Sequence, residues 1–93
     1  MLVLIAKITV KSGLEKEFER IVRAAVPQVR AEPGNHAYIF HRSPDNPQMF
    51  MFYEQYTDQA ALETHRAHLK EMGIDLASFL EGGIGREFYE LLA

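Results

Sequence analysis

The run NHAYIFHRSPDNPQMFMFYEQYT, residues 35–57, decides the fold. Its two halves, 35–43 and 48–57, are dense in Tyr, Phe, Ile and Met, which suit a pleated, half-buried surface. Between them Pro44-Asp45-Asn46-Pro47 is turn chemistry, so the stretch predicts a β-hairpin. Upstream, residues 2–10 are rich in β-branched side chains and stop at Lys11-Ser12-Gly13, which predicts a first strand and a break. Ser12 followed by Glu15 has the spacing of a capping box, and Leu14, Phe18, Ile21, Val22, Ala25 and Val29 then recur at helical spacing. Pro27 lacks a backbone donor and crowds the carbonyl of Arg23, predicting a kink or an early end to that helix. Glu32-Pro33-Gly34 closes the segment.

Downstream of the hairpin, Thr57 and Asp58 offer caps for a second helix with an apolar stripe of Ala61, Leu62, His65, Leu69 and Met72, ending at Gly73. A short third helix over residues 75–80 and a last strand over 84–92 follow. The order β-α-β-β-α-β predicts an α+β, ferredoxin-like domain: one four-stranded antiparallel sheet with its two main helices on one face. With 93 residues the chain forms a single domain, 1–93.

Composition narrows the functions. Ten Lys and Arg against 13 Asp and Glu give a net charge of -3, without the basic excess that nucleic acid binding favours. No cysteine is present, which removes disulfides, thiolate metal sites and a cysteine nucleophile. The apolar opening reaches Lys7 too early for a membrane span and lacks a basic leader, so a cytoplasmic location and no membrane partner are expected.

The strands do not alternate between apolar and polar residues as a sheet with one wet face would. Phe50, Phe52, Glu54 and Tyr56 share one parity, yet Met49, Met51 and Tyr53 fill the other; Val3 and Ile5 likewise oppose Leu2, Leu4, Ala6 and Ile8. Helices cover one face, so the second needs another cover, and a homodimer with sheets face to face is the expectation. Shielding by a third helix and long aromatic side chains in a monomer is the alternative.

His65 lies near the centre of the second helix's apolar stripe and therefore points at the sheet. A buried imidazole must find a polar partner; Glu54, Tyr38 and Tyr56 are the strand residues able to supply one, and a Glu54–His65 contact is expected. Two roles fit this pair: a satisfied core contact, or a proton acceptor and its carboxylate as catalytic groups. His68, one turn on, falls at the stripe's edge, either facing solvent or lining the mouth of the same space. His36 and His41 add imidazoles, but no recognised metal-ligand spacing joins them, so no metal is expected. Aromatic residues including Tyr38, Phe52 and Tyr56 supply flat walls for a small aromatic or quinone-like ligand, and core packing alone would also use them. Gly82, Gly83 and Gly85 precede a strand rather than a helix and do not form a phosphate cradle.

Ile8-Thr9-Val10-Lys11-Ser12-Gly13, then Glu32-Pro33-Gly34, Tyr38, the turn with Pro47, Phe50, Glu54-Gln55-Tyr56, Asp58, Ala61 and His65, together resemble the antibiotic biosynthesis monooxygenase domain family over residues 2–72. The resemblance implies a dimeric α+β barrel with a pocket between each sheet and its helices. It also implies a choice among oxygenases of quinols and phenolic polycycles that use neither metal nor flavin, haem-degrading enzymes, and an isomerase-like branch. Ala6 and Tyr56 stand where the haem branch has asparagine and tryptophan, and Glu71 and Met72 stand near its axial histidine, which disfavours haem. The resulting expectation is a cofactor-independent monooxygenase of a small quinol or phenol. His65 and Glu54 would be its catalytic residues, and Tyr38, Phe52, Tyr56 and His68 would hold the substrate. A non-catalytic dimeric ligand-binding domain and an isomerase of a small signalling metabolite are the alternatives.

Overall fold

A computed structural model describes all residues 1–93. Strand β1 (Leu2–Thr9) leads into α1 (Glu15–Arg30), then the hairpin β2 (Asn35–Arg42) and β3 (Met49–Tyr56), α2 (Gln59–Glu71), a short 3-10 helix (Leu76–Phe79) and β4 (Gly85–Glu90). The sheet is antiparallel throughout, in the order β2-β3-β1-β4, which is the α+β, ferredoxin-like arrangement. Neither helix is long and apolar enough to cross a membrane.

One sheet face carries Leu4, Ala6, Ile8, Tyr38, Phe50, Phe52, Glu54 and Tyr56, all buried. Phe18, Val22, Ala25 and Val29 from α1 and Leu62 and His65 from α2 close over it. Phe18 is fully buried and meets the rings of Phe40, Phe50 and Phe79 at 5.2–5.9 Å, so an aromatic knot anchors α1.

Four local expectations are corrected or refined. Ser12 does not cap α1: the Leu14 N–H closes a turn onto the Lys11 carbonyl through Gly13 at φ +95°, which displaces Ser12 from the helix axis. The Glu15 carboxylate accepts instead from the Gly13 N–H, so neither half of the capping box forms. Pro27 does not end the helix, which continues to Arg30 because Val29, one turn beyond Ala25, is fully buried and keeps the last turn docked. The third helix is a single 3-10 turn, and β4 stops at Glu90, leaving Leu91 and Leu92 exposed.

The opposite sheet face has no helix. Ile5, Ile39, Met49, Met51, Tyr53 and Tyr89 share it through the strand registers, with Ile39, Met49 and Tyr89 each more than 40% exposed. Lys7 and Glu87 pair across it at 3.0 Å.

The turn from α1 to β2 is pinned at several points. The Glu32 N–H donates to the Val29 carbonyl, the Asn35 N–H to the Glu32 carbonyl, and the Thr57 N–H to the Gly34 carbonyl, all at 3.0 Å. Gly34 packs so closely on Ala61 of α2 that a Cβ there would collide with the Ala61 methyl. Gly34→Ala is therefore expected to cost about 1–3 kcal/mol in chemical denaturation, and Ala61→Gly to recover part of the loss by reopening the space. Unchanged stability in Gly34→Ala would show that the two segments do not need this approach.

Candidate functional site

Asp58 starts α2 by accepting the Ala61 N–H at 2.9 Å, which fixes the rotation of the helix and turns Leu62 and His65 toward the sheet. His65 is buried, its ring 5.4 Å from the Tyr38 ring and 5.3 Å from that of Tyr56. Its Nδ1–H donates to the carboxylate of Glu32, 3.1 and 3.2 Å from the two oxygens. The same carboxylate accepts from His68 Nδ1 at 2.6 Å, so Glu32 is shared by two imidazoles one helical turn apart.

This corrects the expected pairing. Glu54 Oε1 lies 3.9 Å from His65 Nε2, beyond hydrogen-bond length, and instead accepts from the Tyr56 hydroxyl at 2.6 Å. Register decides the geometry: Glu54 stands opposite Tyr38 and Leu4 in the sheet, while Glu32 reaches in from the turn beside α2. A carboxylate just past a helix C-terminus opposes the helix dipole unless another group uses it, and that unfavourable placement was the available signal for Glu32. His36 and His41 lie elsewhere, His36 against the Thr57 hydroxyl at 2.8 Å and His41 against the Met51 carbonyl.

A cavity of about 240 Å³ opens beside this cluster, between the sheet and α2. Tyr38, Phe52, Glu54 and His65 line it, whereas Tyr56, fully buried and bonded to Glu54, and His68, bonded to Glu32, do not. Leu62, Leu69, Ile74, Leu76 and Ile84 make its walls apolar. No internal hydrogen bond occupies His65 Nε2, and the atom is not sealed in the core, so its lone pair is presented to this space.

Electrostatics separates the two buried groups. Burial holds His65 below its ordinary value of 6.5 despite the attraction of Glu32. The ring is therefore neutral at pH 7, with Nδ1 protonated toward Glu32 and Nε2 able to accept. Burial pushes the Glu54 carboxyl up to about 7, although the Tyr56 hydroxyl, Arg66 and Arg86 pull it down. The Tyr38 and Tyr56 hydroxyls are likewise raised by burial and by Glu54, and both stay protonated.

These shifts have opposite effects on stability. The native state holds the Glu54 proton more tightly than the unfolded chain does, so this contribution is fully present below about 4.5 and lost as pH rises through about 7. His65 takes its proton first in the unfolded chain, so its contribution is present above 6.5 and lost as pH falls through its lower native value. Glu54→Gln, which can still accept from Tyr56, removes only the alkaline loss. Its stability relative to the parent is expected to grow by roughly 2 kcal/mol between about pH 5 and about pH 8 in paired melting curves. Parallel curves would mean that Glu54 titrates normally.

The model of one protein family, antibiotic biosynthesis monooxygenase, matches residues 1–70. No curated protein matches the chain. Among solved structures, PA3566 from Pseudomonas aeruginosa is 33% identical, with 99% of this chain and 94% of that one covered and a TM-score of 0.86. A proposed antibiotic biosynthesis monooxygenase from Nitrosomonas europaea is 26% identical over 100% of both chains, with a TM-score of 0.89. Rv0793 from Mycobacterium tuberculosis, 20% identical over 99% of this chain and 95% of its own, shares the fold with a TM-score of 0.85.

Proposed function

The chain belongs to the antibiotic biosynthesis monooxygenase family, and on that premise we propose that it is a cofactor-independent monooxygenase of a small quinol or phenol, working as a homodimer. The observation that carries this reading is His65, whose Nδ1–H is held by Glu32 while Nε2 meets an apolar cavity. That is the arrangement of a general base: a carboxylate fixes the tautomer and stabilises the imidazolium that forms when Nε2 takes a proton. Tyr38 and Phe52 provide ring-sized apolar contact beside it, and Glu54, near its midpoint at pH 7, gives or accepts a hydrogen bond.

The substrate supplies the electrons. Loss of a ring hydroxyl proton to His65 gives a phenolate that reduces oxygen; one oxygen atom replaces a ring hydrogen and the other leaves as water. A hydroquinone and one O₂ thus give a hydroxyquinone and one H₂O, with nothing else consumed. Walls of leucine and isoleucine keep bulk water from the anion and retain an apolar ring and oxygen alike. The exposed apolar sheet face supports the dimer, since a second sheet laid on it would remove Ile39, Met49 and Tyr89 from water.

Oxygen uptake with 1,4-dihydroxynaphthalene, measured above the protein-free rate, tests the reaction. One O₂ per substrate under air and no turnover under nitrogen are expected. Equal turnover without oxygen would replace the oxygenase with an isomerase, and saturable binding without turnover would leave a ligand-binding domain.

A further inference from the structure

Apart from Tyr38, Glu54 and His65, every polar residue lining the cavity is a cation: Arg66, Lys70 and Arg86. In a chain with net charge -3, three of its ten Lys and Arg gather around one opening. They approach from two sides, because Arg66 and Lys70 are one turn apart on α2 while Arg86 stands on the edge strand β4, opposite Ala6. Lys70 and Arg86 have no acidic partner; Arg66 has only Glu63, at 3.0 Å between exposed side chains, which neutralises little. Surface cations usually spread over a face or pair with neighbouring acids, whereas these frame an apolar hole. Arg66 and Arg86 also act on its floor, since both pull the buried Glu54 carboxyl downward.

We propose that Arg66, Lys70 and Arg86 form a binding site for an anionic substituent, a carboxylate or a phosphate, on a molecule whose apolar ring enters the His65 cavity. The assignment deepens the reading of the cavity as a substrate site and rests on it. It narrows the substrate class from any quinol or phenol to one that also carries an acidic group. The Arg guanidinium groups provide forked donors for either anion, and Lys70 adds a mobile ammonium.

Calorimetric titration of the intact protein with 2-naphthoate, 2-naphthyl phosphate and uncharged 2-naphthamide tests the site. One or both anions should bind about tenfold or more tightly than the amide at low salt, which also tells carboxylate from phosphate. Lys70→Gln combined with Arg86→Gln should reduce the preference severalfold while the amide still binds, and added salt should reduce it in the parent. Equal binding of anion and amide, a preference undiminished by the double substitution, or no binding of any probe would overturn the proposal. The probes do not react, so the outcome is independent of whether His65 drives oxygenation.

Discussion

A folded His65→Gln protein is expected to turn over a quinol about 10²–10⁴-fold more slowly than the parent, the range associated with removing a positioned general base. Glutamine carries no group that accepts a proton at neutral pH, so the loss should appear in kcat/KM even where binding persists. His65→Asn is the companion variant: its amide nitrogen falls near the place of Nδ1 and keeps a donor toward Glu32. Both should lose turnover, while His65→Gln, which lacks the donor toward Glu32, should be less stable than His65→Asn on the hydrogen-bond scale of about 0.5–1.5 kcal/mol. Full activity in either folded variant would remove His65 from the chemistry. Glu32→Gln supplies the positioning test. Glu32 attracts the His65 proton, so neutralising it lowers the histidine further and moves the acid limb of the pH–rate profile to lower pH. A profile that drops in height without moving would make Glu32 a packing residue.

The second large effect concerns assembly. Sedimentation at about 10 μM should report dimers, and Ile39→Glu combined with Met51→Glu should give folded monomers. Ile39 and Met51 are on the open sheet face, Ile39 42% exposed, so the substitutions leave the helix-packed face of the sheet unchanged. Burying such a side chain is worth about 1.5–3 kcal/mol, and an interface with twofold symmetry counts each change twice. Placing carboxylates there adds desolvation and mutual repulsion, so the dissociation constant should rise by at least about 10³-fold. Monomers of the parent chain at that concentration would refute the face-to-face assembly.

Much of the architecture was legible because it depends on local rules. Hairpin, helices and edge strand follow from turn residues and periodicity, and the centre of the α2 stripe places His65 facing inward without knowledge of the rest. Glu32 was not legible in the same way. It lies 33 residues from His65 in a turn, and only the packing of Gly34 on Ala61 brings it to the imidazole. A strand partner such as Glu54 is the natural guess for an inward histidine, but side-chain reach along the sheet put it 3.9 Å away. Pro27 shows the converse: a local rule allowed a kink or an early end, and burial of Val29 overrode the early end. The cations at the cavity mouth escaped notice because Arg66 and Lys70 read as the wet flank of an amphipathic helix, and only the fold sets Arg86 across from them.

The pinned elbow at residues 32–34 also governs where the polypeptide tolerates engineering. Three main-chain bonds and a glycine without clearance leave no slack there, so even one added amino acid would withdraw the shared carboxylate from both rings. The hairpin tip around Pro44 and Asp45 is solvent-facing and remote from the histidine pair. Epitope tags or fluorophore loops belong at that tip, where the chain can lengthen without touching the constellation that defines it.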